Sequence, residues 1–133
     1  MHLGPLTLAD LSILGAVAAY MAPIAIAKYG AGGAFDNTKP RDPAFYDDAF
    51  RARGLWAHQN GLEGFAFFAV AVVVAQMRAA PQNVVDGLAV AYVALRFAYA
   101  AAYLAGRASL RSAIWSLGFL ANVALLLSPL WPR

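Results

Sequence analysis

The sequence predicts an all-α integral membrane protein that crosses the bilayer four times as an up-and-down four-helix transmembrane bundle. Of the 133 residues, 62% are hydrophobic and only 13% are charged, which exceeds ordinary globular usage. A chain of this length cannot hide so much apolar surface in one soluble core. The apolar residues also fall into four segments, and the links between the last three segments are short.

The four predicted spans cover about residues 5–28, 54–77, 84–104 and 112–130. In the first span, residues 11–27 carry no charge, which is close to the minimum for crossing a hydrocarbon core of about 30 Å. No basic stretch precedes this run, and the run is too long for the apolar part of a signal peptide, so we expect a retained helix. The fourth span carries no charge and is flanked by Trp115 and Trp131, which suit headgroup depth.

Two short links set the order of the last three spans. Residues 78–83, which include Pro81, join the second span to the third, and residues 105–111 join the third to the fourth. Links of this length favour antiparallel neighbours in a bundle. Because no internal repeat or low-complexity tract divides the chain, we expect residues 1–133 to form a single transmembrane domain.

The long first connection, residues 29–53, contains a helix-start signal at Asp42 and Pro43. Asp caps free N–H groups, Pro fits the first helical position, and the following Asp47 and Asp48 suit the positive end of a helix dipole. We therefore expect the second helix to start near residue 43 and to project beyond the bilayer. The alternative is a separate short interfacial helix that ends at Gly54.

The basic residues predict the orientation in the membrane. Seven of them lie in or beside the first and third connections: Lys28, Lys39, Arg41, Arg51, Arg53, Arg107 and Arg111. Only Arg78 and Arg133 lie on the other side, so the positive-inside rule places the first and third connections in the cytoplasm. Both termini are then expected on the side away from the cytoplasm.

Composition also excludes several classes of function. The net charge of +3 is not accompanied by the clustered basic residues and aromatic platforms of a nucleic-acid-binding module, so no nucleic-acid partner is expected. The chain has no Cys, and His2 and His58 are its only histidines. We therefore expect neither a disulfide framework nor a metal site.

The residues that indicate a possible function are the polar ones at membrane depth. Asn60 and Glu63 share one face of the second helix, and Arg96 interrupts the third. A charged side chain near the centre of a span costs about 2.5 to 3.5 kcal/mol on insertion scales, so Glu63 and Arg96 should meet each other or a polar cavity. Both lie about 20 Å from the outer turn between these antiparallel helices, so the spacing favours a pair.

Two interpretations of these polar residues are open. In the first, the pair only ties two helices together, which is a common role of a buried ion pair. In the second, the pair belongs to a ligand pocket, because Tyr92, Tyr99 and Tyr103 form a stripe with Arg96 and further arginines lie at the same mouth. Such a recess would open to the cytoplasm and accept a small anionic molecule at its polar end and an apolar one at its lipid end.

The residues Arg53 to Glu63, Arg96 to Tyr103, and Arg111 with Ser112 resemble a known pattern. They are similar to the family of membrane-associated proteins in eicosanoid and glutathione metabolism (MAPEG). The residues of the second-helix motif are most similar to those of its poorly characterised bacterial branch. The resemblance covers essentially the whole chain. It implies a homotrimer in a membrane, here the bacterial inner membrane, with glutathione as co-substrate between adjacent subunits near the cytoplasmic side.

The resemblance also implies roles for individual residues. The residues matched to glutathione binding, or placed at the same mouth, are Arg53, His58, Asn60, Glu63, Arg96, Tyr103 and Arg107. Arg111 resembles the arginine that stabilises the glutathione thiolate, which would make it the catalytic residue. A guanidinium suits this role, because lowering a thiol pKa from about 8.5 towards neutrality raises the fraction of nucleophilic thiolate.

We therefore expect a glutathione-dependent transferase or peroxidase that acts on a small lipophilic electrophile. One alternative is a catalytically inactive scaffold or lipid-binding protein with the same fold, because Trp56 and Gln59 replace arginines that the eukaryotic synthases carry. A less favoured alternative is a small proton-coupled exporter with one membrane glutamate. That function needs a raised glutamate pKa, whereas a neighbouring arginine favours the charged carboxylate.

Overall fold

The computed structural model describes residues 4–30, 32 and 35–132; His2 and Arg133, which entered the predictions above, lie outside these ranges. The helices of the described chain are α1 (Leu8–Tyr29), α2 (Ala49–Met77), α3 (Gln82–Leu104) and α4 (Ala108–Leu127), with short 3₁₀ turns at Pro43–Tyr46 and Ser128–Leu130. All four α-helices are long and apolar enough to cross a membrane, α4 together with the turn that follows it. The predicted four-helix membrane bundle is therefore confirmed.

The second helix begins later than the Asp42–Pro43 signal indicated. Asp42 does cap a helical turn, but only the short 3₁₀ turn at Pro43–Tyr46. Asp48 then has extended backbone geometry, and its side chain accepts hydrogen bonds from the N–H groups of Phe50 and Arg51. Asp48 satisfies two free donors at a helix start, so it is the effective cap of α2.

The alternative of a short helix ending at Gly54 is also not what the structure contains. Helix α2 passes through Gly54 without a break, and this residue lies at a close crossing with α1. A Cβ atom at Gly54 would lie 2.5 Å from the Cβ of Ala27 and 2.7 Å from the carbonyl oxygen of Pro23. Glycine here allows two membrane helices to approach closely, which is a common use of small residues in bundles.

Contacts at both ends of the bundle establish the up-and-down order. At one end, the Ala9 N–H donates to Asp86 Oδ1 across 2.8 Å, so the start of α1 meets the start of α3. At the other end, Arg53 Nε donates to the carbonyl oxygen of Leu104 across 3.1 Å, so the start of α2 meets the end of α3. The first and third connections therefore lie at the same end of the molecule.

The core between the helices is small and rich in alanine. Phe68 of α2 stacks on Tyr92 of α3 with ring centroids 4.2 Å apart, and Leu125 of α4 is fully buried in the same cluster. Helix α1 packs against α2 and α3, whereas α4 packs against α3 and α2. Much of the apolar surface of all four helices faces outward, as expected of an integral membrane protein in contact with lipid.

Candidate functional site

The buried guanidinium of Arg96 is at the centre of the polar site. Its side chain is only 8% exposed, and Nη2 donates a hydrogen bond to Asn60 Oδ1 across 3.1 Å. The guanidinium carbon also lies 4.3 Å from the centroid of the Tyr99 ring. An amide oxygen and an aromatic face therefore stabilise the charge that α3 carries into the bundle.

The direct ion pair between Glu63 and Arg96 is not formed within the described chain. Glu63 lies nearly one turn beyond Asn60 on α2, has an exposed side chain and lines the same cavity as Arg96. The match in depth was thus correct, but the helix rotation brings the amide of Asn60 to the guanidinium. Glu63 therefore lines the cavity with an exposed side chain and without an ion pair to Arg96 in the described chain.

A cavity of about 210 Å³ lies where α2, α3 and α4 meet, and we call it the inner cavity. Its lining residues are Asn60, Glu63, Gly64, Phe67, Tyr92, Arg96, Trp115, Gly118, Phe119 and Asn122. The charged groups lie on the α2 and α3 sides, whereas α4 contributes two aromatic rings. The cavity therefore has its charged groups on the α2 and α3 sides, and aromatic rings together with one amide on the α4 side.

A second recess of about 300 Å³ adjoins the inner cavity, and we call it the basic recess. Its lining residues are Asn60, Tyr99, Tyr103, Arg111, Ser112, Trp115 and Ser116. Asn60 and Trp115 line both spaces, so the two are neighbours. The guanidinium carbon of Arg111 lies 4.5 Å from the centroid of the Tyr103 ring, which keeps this cation beside hydroxyl groups that donate and accept hydrogen bonds.

Five of the eight residues predicted for the site line one of these two spaces. They are Asn60, Glu63, Arg96, Tyr103 and Arg111. The third-helix stripe is also present, since Tyr92 lines the inner cavity and Tyr99 lines the basic recess. Residues from three helices thus meet around two guanidinium groups and one carboxylate.

The other three predicted residues lie elsewhere in the single chain. Arg53 is held by the hydrogen bond to Leu104 at the end of α3, and Arg107 is exposed before α4. His58 Nδ1 donates to the carbonyl oxygen of Tyr20 across 2.8 Å, so its ring faces α1. His58 lines a different pocket, together with Arg41 of the first connection, on another side of α2.

Sequence reasoning missed the buried amide of α4. Asn122 is 3% exposed and lines the inner cavity, and its Oδ1 has no hydrogen-bond partner among the described residues. The signal was visible, because Asn122 is the one amide in the apolar run that forms the fourth span. Trp115 was assigned to the membrane interface from the sequence, yet its side chain also lines both the inner cavity and the basic recess.

Comparison with known proteins gives one family. The model described as the MAPEG family matches residues 8–131, a range that contains all four helices and every residue lining the two spaces. No curated protein and no solved structure matches this chain.

Proposed function

The chain belongs to the MAPEG family, and on that premise we propose that it is a glutathione-dependent transferase or peroxidase acting on a lipophilic electrophile. The observation that supports the proposal is that the basic recess, which Arg111 lines, adjoins the partly aromatic inner cavity. A charged tripeptide and an apolar partner need adjoining sites of these two kinds. MAPEG proteins generally use glutathione and form trimers, which supports extending both properties to this chain.

The charges of the site suit glutathione. This tripeptide carries two carboxylates and one ammonium group, and the site offers the guanidinium groups of Arg96 and Arg111 together with the carboxylate of Glu63. A guanidinium has five N–H donors, so Arg96 retains donors beyond the one given to Asn60. In this proposal Glu63 binds the ammonium group, Arg96 binds a carboxylate, and the Tyr103 hydroxyl adds a further hydrogen bond.

Arg111 is the proposed catalytic residue. Its guanidinium would stabilise the glutathione thiolate and lower the thiol pKa, so that more of the bound tripeptide is nucleophilic at neutral pH. In a transferase reaction, the sulfur forms a bond to an electrophilic carbon, and the displaced electron pair leaves with a leaving group or takes a proton. In a peroxidase reaction, two glutathione thiols reduce one hydroperoxide to an alcohol and water and form the disulfide.

We further propose that residues 1–133 form one domain and that three copies assemble around the site. The exposed side chain of Glu63 supports this, because a carboxylate at membrane depth should not face lipid. Helix α4 is the least buried of the four spans, so it has surface to offer a second copy. Arg53, His58 and Arg107 would complete the glutathione site from a neighbouring subunit, on the cytoplasmic side.

The exporter alternative has less support than the enzyme. It needs a glutamate alone in its cavity, whereas Glu63 and Arg96 line the same cavity. The scaffold alternative has the same site geometry as the enzyme and differs only in turnover. Saturable glutathione binding without conjugation or peroxide reduction would favour the scaffold.

The test is a thermal melt of the detergent-purified protein with and without millimolar glutathione. A ligand that binds only the folded state raises the melting temperature. We expect a rise for the wild-type protein that is lost in Glu63→Gln and retained in Arg78→Gln, which removes an exposed charge at the opposite end of the bundle. The absence of a rise in folded wild-type protein would reject the proposed function.

A further inference from the structure

The end of the bundle that holds the first and third connections has an excess of basic side chains. Residues 28–53 and 105–111 contain seven basic residues and four aspartates, whereas the opposite end of the described chain has the charged residues Asp10, Asp86 and Arg78. Four of the seven basic residues have no part in the function proposed above: Lys28, Lys39, Arg41 and Arg51. Two of these, Lys28 and Arg51, lie at the ends of membrane-spanning helices, which is the depth of lipid headgroups.

The aspartates near these cations stabilise backbone turns. Asp36, Asp42 and Asp48 each accept a hydrogen bond from the N–H group two residues further along the chain. Asp48 Oδ1 also accepts from the N–H group of Arg51, which caps the start of α2. Local bonds of this kind are the usual role of Asp in turns and at helix starts. The cations of Lys28 and Arg51, by contrast, lie against aromatic rings.

The aromatic rings of the first connection form a continuous series with these two cations. Tyr29 contacts Phe35 edge to face, and Phe35 contacts Phe45 in the same way, with ring centroids 5.6 and 5.3 Å apart. Lys28 Nζ lies 4.6 Å from the centroid of Phe35, and the guanidinium carbon of Arg51 lies 4.4 Å from that of Phe45. Aromatic bodies combined with charged heads are typical of residues at a membrane–water boundary.

A groove of about 390 Å³ lies at the start of α2, and we call it the interfacial groove. Its lining residues are Gly30, Asp48, Phe50 and Arg51. Arg51 Nη2 donates to the carbonyl oxygen of Gly32 across 2.6 Å, which orients the guanidinium and leaves its other N–H donors for a ligand. Both cap bonds of Asp48 end on Oδ1, so Oδ2 can accept from a ligand hydroxyl. The groove thus combines a cation, an acceptor and an aromatic ring.

We propose that the interfacial groove binds an anionic glycerophospholipid with a glycerol headgroup, phosphatidylglycerol. Arg51 donates hydrogen bonds to the phosphate oxygens, a headgroup hydroxyl donates to Asp48 Oδ2, and the Phe50 ring packs against the glycerol ester backbone. A guanidinium suits this role because its planar N–H groups match two phosphate oxygens. This site goes beyond the proposed function, since it takes neither glutathione nor an electrophile.

The position of the groove favours a lipid over a soluble phosphate. Gly30 directly follows the last residue of α1, and Asp48 directly precedes the first residue of α2. Two membrane-spanning helices therefore end at the groove, and lipid phosphates are concentrated at that depth. The excess of basic residues at this end favours anionic over zwitterionic headgroups, by about fivefold for each basic residue near the surface.

The first experiment measures lipid retention by native mass spectrometry. Protein in detergent is titrated with phosphatidylglycerol or with phosphatidylcholine of the same acyl chains, and apparent dissociation constants are obtained from the fraction of protein that retains lipid. We expect wild-type protein to bind phosphatidylglycerol at least about fivefold more tightly. Arg51→Gln should lose this preference, whereas Arg78→Gln, which removes an exposed charge at the opposite end, should retain it. Equal retention of both lipids by wild-type protein would overturn the proposal, as would an unchanged preference in Arg51→Gln.

The second experiment leaves Arg51 in place, so it does not depend on the folding of a variant at that position. Because the chain has no Cys, Ala49→Cys and Asn83→Cys each supply one thiol for a fluorophore, beside the groove and at the opposite end respectively. Phosphatidylglycerol with a nitroxide near the top of one acyl chain is added in trace amounts to phosphatidylcholine nanodiscs.

We expect stronger quenching at position 49 than at position 83, reversed by unlabelled phosphatidylglycerol but not by millimolar inorganic phosphate. Equal quenching at the two positions would overturn the lipid site. Reversal by inorganic phosphate would identify a site for soluble anions and overturn the lipid assignment. Neither experiment contains glutathione, so the outcome is independent of the proposed function.

Discussion

Arg96 of α3 donates a hydrogen bond to Asn60 of α2 across 3.1 Å, so a buried guanidinium is held by an amide oxygen. This contact leaves the Glu63 carboxylate, nearly one turn further along α2, free of an ion pair with Arg96 in the described chain and directed to the same cavity. A direct ion pair would have neutralised both charges before any ligand arrived. The observed arrangement keeps one carboxylate and part of one guanidinium available for binding.

The Asn60→Ala variant should destabilise the folded protein by about 1 to 3 kcal/mol, because it leaves a buried charged donor without its acceptor. The free energy of unfolding is measured by denaturation in mixed detergent micelles. The control is Gln59→Ala, the adjacent residue, whose side chain is exposed. Equal stability of the two variants would contradict the role assigned to the Asn60 contact.

The Gly61→Ala variant should also destabilise the bundle, by about 1 to 3 kcal/mol, because overpacking a tight helix crossing forces the backbones apart. A Cβ at this position would overlap the Cβ of Tyr20 on α1. The matched control is Gly87→Ala in α3, where nothing lies within 4 Å of the added atom. That variant should be neutral or stabilise by up to about 1 kcal/mol through helix propensity. Thermal melts of both variants make the comparison, and a similar loss in both would refute the close crossing.

The Arg111→Gln variant should move the pH dependence of glutathione conjugation to higher pH. With the guanidinium present, the thiol pKa is lowered, so kcat/KM rises through that pKa and levels off near neutrality. Without it, the rising limb should move towards about pH 8.5, with a loss of about tenfold at pH 7. The rate is recorded between pH 6 and about 9, and Arg78→Gln serves as the control for removal of a distant charge. An unchanged profile in Arg111→Gln would assign the thiolate to another group.

Native mass spectrometry of the protein released from detergent should show three times the 14.1 kDa chain mass. The physical reason is that the open side of the site exposes Glu63 at membrane depth, where a second copy gives it a polar environment. The Glu63→Gln variant should retain the trimer, because an uncharged amide costs less to bury than a carboxylate. If a monomeric form bound glutathione with wild-type affinity, trimer assembly would not be required to form the site.

The membrane fold was predictable because spanning segments depend on local composition. The predicted third span, residues 84–104, lies within α3 and ends at the same residue, since hydrophobic length and the adjacent Pro81 define it. The start of α2 was less predictable, because Asp42 and Asp48 are both good caps and only the packing of the first connection selects between them. The sequence analysis took Asp42 as the cap and assigned Asp48 only to the helix dipole, because local preference does not show where the packing of the first connection ends.

The four membrane helices and the similar depth of Asn60, Glu63 and Arg96 were predictable from the chain's residues alone, because residue spacing sets position along a helix axis. Which side chains meet around that axis depends on how the helices pack. Helix rotation pairs Arg96 with Asn60, joins Arg53 to a backbone carbonyl of α3, and directs Asn122 into a cavity. Rotation depends on how whole helix faces pack, and glycines such as Gly54 and Gly61 set that packing through contacts distant in sequence.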